Sequence, residues 1–152
     1  EPLLSQMEDY PLLIQALEES GIITHSETEL YLLVGHGTSH IGNLAYLALE
    51  DWLKHSGYSN VLVGTIGGYP TLEMVLKQLN QKGCSNVILI PTLLVAGKHV
   101  QQDIAGEKPD SWKSVLEQNG YSVTVRLQGL GAFPAIQRLY LAHLQKIVAD
   151  IS

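Results

Sequence analysis

Apolar residues recur along this chain in two patterns, one with the spacing of an amphipathic helix and the other as short unbroken runs. The helical pattern places apolar residues at i, i+3, i+4 and i+7, so that they share one face. It predicts helices at residues 10–17, 41–52, 72–79 and 136–147. Asp110 is predicted to cap a shorter helix that carries Trp112 and Leu116. Helices therefore recur along the whole chain.

The unbroken runs are rich in Val, Leu and Ile and lie at residues 30–34, 60–66, 86–95 and 122–127. Such runs are typical of strands buried on both faces, and strands that alternate with helices favour a parallel sheet. The predicted fold is therefore α/β, a four-stranded parallel sheet flanked by helices. Because the run at residues 86–95 is the longest, we expect its far end to extend beyond the sheet and line a cleft.

Composition and charge limit the kinds of partner. The 152 residues include 9 Lys and Arg and carry a net charge of −6, so a nucleic-acid partner is not expected. No apolar stretch reaches the roughly 18 residues of a transmembrane helix, and no signal-peptide pattern opens the chain. Cys84 is the single cysteine, which agrees with a reducing compartment. We expect one domain, residues 1–152, in the cytoplasm and not in a membrane.

Two histidines follow predicted strands. His36 lies in the sequence GHGTSH after the first run, and His99 lies in AGKH after the third. Ligands bind at the carboxyl ends of strands in parallel α/β sheets, and imidazole binds divalent transition metals and accepts protons near neutral pH. The pattern predicts a metal-handling site, with Thr38 or Ser39 capping the next helix. The alternatives are a capped turn with an incidental His36, and a core strand that ends in a solvated Lys-His turn.

The other histidines have simpler interpretations. His143 falls on the apolar face of the last helix and is predicted to be packed and hydrogen-bonded, while His25 and His55 lie in polar surface contexts. His40 is expected behind the site or facing solvent. The chain contains no G-x-S-x-G, Walker loop, G-x-G-x-x-G or C-x-x-C motif, which disfavours serine hydrolases, P-loop enzymes, dinucleotide enzymes and thiolate zinc sites.

Five short motifs follow one another along the chain: LVGHGTSH at 33–40, GGYP at 67–70, LLVAGKH at 93–99, DSWK at 110–113 and GLG at 129–131. Together they resemble the C-terminal half of the anaerobic sirohydrochlorin cobaltochelatases of cobalamin biosynthesis. Those enzymes belong with the ferrochelatase-like chelatases, which need no ATP. The resemblance spans nearly the whole chain and implies a chelatase-like fold, of which this domain is one half.

By this resemblance His36 and His99 are the catalytic and metal-binding histidines, one of which accepts protons from the pyrrole nitrogens. The family carries a glutamate two residues before its Tyr-Pro pair, and Gly67 occupies that position here. The glutamate would supply negative charge and an oxygen ligand for the incoming cation. Water and Glu73, from the first turn of the following helix, are the two candidates to fill the gap.

The function implied by the resemblance is insertion of a divalent metal, Co²⁺ first among them, into sirohydrochlorin. The macrocycle is expected in a cleft lined by Leu93, Leu94 and Val95, with Lys98 and Arg126 as candidate contacts for its carboxylates. No organic cofactor is expected, because the metal is a substrate. The family's N-terminal half forms the other cleft wall, so the expected partner is that missing half or a second copy of this chain.

Two further interpretations stay open. Gly67 favours a degenerate chelatase domain that binds a tetrapyrrole or a metal without turning it over, whereas His36 and His99 with their glycine turns favour the enzyme. A purely structural half-domain would bind neither ligand.

Overall fold

A computed structural model describes residues 4, 6–95 and 97–151, with the side chains of residues 98–100, 150 and 151 left aside. Its strands are β1 (Glu29–Gly35), β2 (Val61–Thr65), β3 (Asn86–Pro91) and β4 (Ser122–Val125). Its helices are α1 (Asp9–Glu19), α2 (Leu44–His55), α3 (Leu72–Lys82), α4 (Lys98–Ala105), α5 (Trp112–Gln118) and α6 (Pro134–Ile151). Two 3₁₀ turns span Ile41–Asn43 and Leu130–Ala132. The predicted α/β class is confirmed.

The strands form one parallel sheet in the order β2-β1-β3-β4. Val34 of β1 is in register with Gly64 of β2 on one side and Pro91 of β3 on the other. The carboxyl ends of these three strands therefore meet at one edge of the sheet, which we call the carboxyl edge. Each strand is followed there by a loop, and these loops form the surface where ligands bind in such sheets.

Alternating strand residues face two apolar cores, because successive side chains point to opposite faces of a strand. Leu33 packs on one face with α1, α2 and α6, whereas Leu32 packs on the other with α3, α4 and α5. Both leucines are completely buried. The result is a three-layer α/β/α sandwich that holds the carboxyl edge on a rigid base. Within the described residues no helix has the length and apolar character needed to span a membrane.

The expected extension of the third strand to residue 95 is wrong, because β3 ends at Pro91. The backbone N–H of Thr92 still donates to the Val34 carbonyl at 2.8 Å. Beyond that point β1 turns away at Gly37, whose φ is +74°, so residues 92–95 have no neighbouring strand to pair with. They form a loop instead, and that loop contains Leu93, Leu94 and Val95, the residues predicted to line the cleft.

The fourth strand is shorter and less buried than predicted. The run at residues 122–127 forms a strand only as far as Val125, and its residues alternate between exposed and half-buried. β4 lies at one edge of the sheet and contributes to one apolar core only, through Val123 and Val125, whereas β2 at the opposite edge contributes to both cores. Burial on both faces therefore holds for β1, β2 and β3 and fails for β4.

Two helix starts also differ from the prediction. Residues 41–43 form a 3₁₀ turn before α2, and the side chains of Ile41 and Leu44 are 71% and 53% exposed, although both fit the apolar stripe. At α5 the N-cap is Ser111, whose Oγ accepts a hydrogen bond from the Ser114 N–H at 3.1 Å, and not Asp110. The first difference leaves two apolar side chains exposed at the carboxyl edge, where a ligand or a partner could cover them.

Candidate functional site

Glycines on both sides of His36 hold the turn that follows β1. A Cβ at Gly35 would overlap the ring of Tyr46. At Gly37 the backbone has a φ of +74°, and a Cβ would lie 2.7 Å from both the Gly68 nitrogen and the Thr65 Cβ. Only glycine adopts this conformation without strain and allows such close packing. The turn therefore holds His36 in place through contacts that other residues would break.

A hydrogen bond to the backbone determines which nitrogen of His36 is available. Nδ1 lies 3.0 Å from the Gly37 carbonyl oxygen, which can only accept a hydrogen bond. In the neutral ring Nδ1 therefore carries the proton and Nε2 keeps its lone pair. The side chain is exposed. His36 thus presents a nitrogen that can bind a divalent cation or accept a proton.

Asn43 joins the loops that follow β1 and β2, and sequence reasoning missed it. Its Oδ1 accepts from the Thr38 N–H at 3.0 Å, and its Nδ2 donates to the Tyr69 carbonyl at 2.5 Å. The side chain is buried, and a Cβ at Gly68 would collide with it. Loss of either partner would leave a buried polar group unpaired, at a cost of about 1–3 kcal/mol. The available signal was one polar residue between Ile41 and Leu44.

Gly67 lies next to His36 and has space for a side chain. Its N–H donates to the His36 carbonyl at 2.8 Å, and a Cβ there would lie 3.5 Å from the same oxygen, an ordinary contact. Position 67 is exposed. Glu73, the candidate substitute, is also exposed, and its carboxylate pairs with Lys77 at 3.0 Å. The backbone at position 67 is therefore compatible with the glutamate that it lacks.

The loop after β3 presents apolar side chains. Leu94 and Val95 are 47% and 79% exposed, and Leu93 is half-buried. The Leu130 N–H donates to the Leu93 carbonyl at 2.8 Å, and the Gly131 N–H donates to the Leu94 carbonyl at 3.1 Å. Two backbone N–H groups of the GLG motif thus hold this loop by hydrogen bonds.

Helix α4 begins directly after this loop, and His99 is the second residue of the helix. Since β3 is the neighbour of β1, the loop that leads to His99 starts at the same edge of the sheet as the turn that carries His36. The side chains of Lys98 and His99 lie outside the described part of the structure. Convergence of the two imidazoles therefore stays a prediction.

Two cavities adjoin the His36 turn. One, of about 420 Å³, is lined by residues 38–41, 43–44 and 67–69. The other, of about 380 Å³, is largely apolar and lies between the His36 turn, the β3 loop and the helices α1, α2 and α6; its lining includes Thr38, Leu94 and Tyr140. Burial raises the pKa of Tyr140, so its hydroxyl stays protonated at neutral pH. The edge thus combines polar and apolar surfaces.

Arg126 lies elsewhere. It lines a separate cavity of about 450 Å³ with residues 20–22, and its guanidinium donates to the Gly21 carbonyl at 3.1 Å and lies 5.8 Å from the centre of the Tyr31 ring. Neither cavity beside His36 includes Arg126 among its lining residues. The structure therefore does not bring this candidate contact to the His36 turn.

The other histidines behave as the sequence indicated. The His143 Nε2 lies 2.8 Å from the Asp9 Oδ1, so this half-buried ring is hydrogen-bonded between α6 and α1. His25 is exposed and stacks on Tyr58 with ring centres 4.2 Å apart. Among the side chains that the structure describes, no three His, Cys, Asp or Glu residues converge on a point that could hold a metal. His36 is thus the described imidazole with the appropriate position and tautomer.

A parallel α/β sheet with an exposed imidazole acceptor, glycine turns and an apolar loop at its carboxyl edge defines a ligand-binding α/β domain able to handle a metal ion or a proton. The family model described as Cobalt chelatase (CbiK) matches residues 1–149. The chain belongs to this family.

Two curated relatives support the family assignment. The chain is 36% identical over 145 residues to the sirohydrochlorin cobaltochelatase of Salmonella typhimurium, an alignment that covers 95% of this chain and 54% of the relative. It is also 36% identical over 123 residues to the sirohydrochlorin cobaltochelatase CbiKC of Nitratidesulfovibrio vulgaris, covering 81% of this chain and 43% of that protein. The chain thus spans about half the length of the curated relatives it matches.

Proposed function

We propose that this chain forms the metal-inserting half of an ATP-independent tetrapyrrole chelatase that inserts Co²⁺ into sirohydrochlorin. The single observation that supports this most directly is the 3.0 Å contact between the His36 Nδ1 and the Gly37 carbonyl oxygen, which assigns the proton to Nδ1 and leaves Nε2 as an acceptor. Family membership and the names of the two relatives supply the reaction and the substrate.

The proposed chemistry is an exchange of one metal ion for two protons. Co²⁺ forms bonds to the four central nitrogens of the macrocycle, and the two pyrrole N–H protons leave. His36 Nε2 accepts one proton as a general base, and His99 or water accepts the other. Before insertion the same imidazoles guide the hydrated cation towards the ring. No redox step and no organic cofactor is needed.

The apolar β3 loop would contact the face of the macrocycle. Leu94 and Val95 together with Ile41 and Leu44 leave exposed apolar surface at the carboxyl edge. A second wall, from a further α/β half or from a second copy of the chain, would cover this surface and complete the cleft. The proposed domain is the whole of residues 1–152, and we place it in the cytoplasm, where a biosynthetic substrate would be available.

The test is a chelation assay with sirohydrochlorin and Co²⁺, followed through the visible spectrum of the tetrapyrrole. We expect His36→Ala and His99→Ala each to lower the rate by a factor of about 10² to 10⁴, the range for loss of a general base. His25→Ala and His55→Ala serve as matched controls and should retain the rate. Equal effects of all four substitutions would contradict the proposal.

The second candidate function is binding without turnover, and Gly67 favours it. Without a carboxylate at this position the incoming cation lacks an anionic ligand. A degenerate domain would bind the tetrapyrrole and Co²⁺ yet leave the spectrum of the metal-free ring unchanged over hours. Spectral conversion that depends on His36 would exclude this candidate.

A further inference from the structure

His40 differs from His36 in the backbone group that holds its Nδ1. It is the N-cap of the 3₁₀ turn, and its Nδ1 accepts a hydrogen bond from the Gly42 N–H at 3.1 Å. A backbone N–H can only donate, so in the neutral ring this Nδ1 bears the lone pair and Nε2 bears the proton. The two imidazoles are therefore opposite tautomers: His36 presents an acceptor, and His40 presents a donor.

The donor borders a cavity that also contains hydroxyl groups. The cavity of about 420 Å³ is lined by His40, Thr38 and Ser39 from the β1 loop and by Gly67 and Tyr69 from the loop after β2. The cavity adjoins the His36 turn, because the Gly67 N–H is bonded to the His36 carbonyl at 2.8 Å. Exposed Ile41 and Leu44 extend it with apolar surface. A short hydrocarbon arm ending in an acidic group fits this combination.

Charge supports the same ligand. None of the described residues that line this cavity is acidic, and none is Lys or Arg. A carboxylate would therefore meet neutral donors without a repelling partner. Hydrogen bonds to an ionised group stabilise by about 1.5–3 kcal/mol each, more than bonds between neutral groups. The cavity is thus suited to an anion even though no cation lines it.

We propose that the cavity beside His40 binds a carboxylate arm of the tetrapyrrole, with the His40 Nε2–H as the hydrogen-bond donor. This inference rests on the proposed function, since the tetrapyrrole is its ligand. It assigns His40 a binding role, whereas the sequence had indicated only a position behind the site or facing solvent. The proposal also bears on Gly67. A carboxylate added at position 67 would repel the carboxylate arm while attracting the metal.

His40→Asn tests the proposal without loss of the cap, because Asn is among the preferred N-cap residues and its Oδ1 can accept from the Gly42 N–H. The variant lacks a donor at the position of Nε2. Binding of metal-free sirohydrochlorin and of its fully esterified form is measured by quenching of their fluorescence. The variant and the wild type are compared as chains of the same length. We expect about tenfold weaker binding of the acid and a much smaller change for the ester, whose neutral carbonyl oxygens accept weaker hydrogen bonds than a carboxylate does.

The matched control is His55→Asn, which removes another exposed imidazole whose Nδ1 contacts the backbone, at the Asp51 oxygen. It should change neither affinity. Unchanged binding of the acid by His40→Asn, or equal weakening of acid and ester, would overturn the inference while the proposed function stands. A wild-type protein that binds neither form would instead overturn the proposed function itself.

A second measurement does not depend on the ligand. Nitrogen-15 chemical shifts of the two rings at neutral pH should show protonated Nδ1 in His36 and protonated Nε2 in His40. Protonated Nδ1 in His40 would overturn the assignment of its Nε2 as a donor.

Discussion

The two loops at the carboxyl edge differ in how they are held. The β1 loop, residues 36–43, is constrained by Gly37, which tolerates no side chain, and by the buried amide of Asn43. The β3 loop, described at residues 92–95 and 97, hydrogen-bonds to the backbone of Leu130 and Gly131 and exposes Leu94 and Val95. Under the proposed function, the group that exchanges metal and protons requires a fixed position, whereas the surface that contacts the macrocycle requires exposure more than precise placement.

The largest expected effect is on the stability of the protein and tests whether the β1 loop is more tightly constrained than the β3 loop. Gly37→Ala should lower the free energy of unfolding by about 2–4 kcal/mol, because it combines a left-handed backbone with a close backbone contact. Gly97→Ala in the β3 loop is the matched control: its Cβ would meet nothing within 4 Å, and its φ is −66°. The control should cost less than about 1 kcal/mol, the range for an N-cap position. Urea denaturation measures both, and equal losses would remove the distinction between the loops.

The next effect concerns the missing carboxylate beside the β1 loop. Gly67→Glu should raise Co²⁺ affinity about tenfold, since the chain has space at this position and a carboxylate oxygen adds to the imidazole ligands. Gly67→Gln is the neutral control of the same size and should have a much smaller effect. Isothermal titration at neutral pH compares the two. If Gly67→Glu leaves the affinity unchanged, another group already supplies the anionic ligand.

The smallest effect concerns the β3 loop. Leu94→Ser should weaken tetrapyrrole binding several-fold through lost apolar contact, yet leave stability within about 0.5 kcal/mol because the side chain is half exposed in the protein alone. Leu141→Ser, at a position 55% exposed on α6, is the control and should affect neither quantity. Fluorescence titration and urea denaturation measure the two quantities. A large loss of stability in Leu94→Ser would mean that this loop is part of the core.

The fold was predictable because its signals are local. Val, Leu and Ile runs between amphipathic stretches indicate a parallel sheet, and β1 and β3 are neighbours in the sheet that formed. The end of β3 was not predictable from its own residues, since it depends on where β1 turns away. Pro91 is still paired, and Thr92 is the last residue to donate to β1.

The site was predictable in part for the same reason. The position of His36 in a glycine turn after β1 was predictable because glycines on both sides of a histidine at a strand end are visible in the sequence, and its role in the site stays a prediction. The role of Asn43 and the tautomers of His36 and His40 were not predictable from the sequence, because they depend on which backbone group each side chain contacts. The exposure of Ile41 and Leu44 was missed because a periodic pattern shows which residues share a face but not what covers that face.

The measurement that tests the central claim most directly is a Co²⁺ titration of the wild-type chain, His36→Ala and His99→Ala by calorimetry. If the two histidines share one ion, the wild type binds one Co²⁺ per chain with the higher affinity, and either substitution weakens that site by at least about tenfold, as expected for loss of one of two ligands. Two ions per chain, each lost with a different substitution, would contradict the account, as would unchanged binding in His36→Ala.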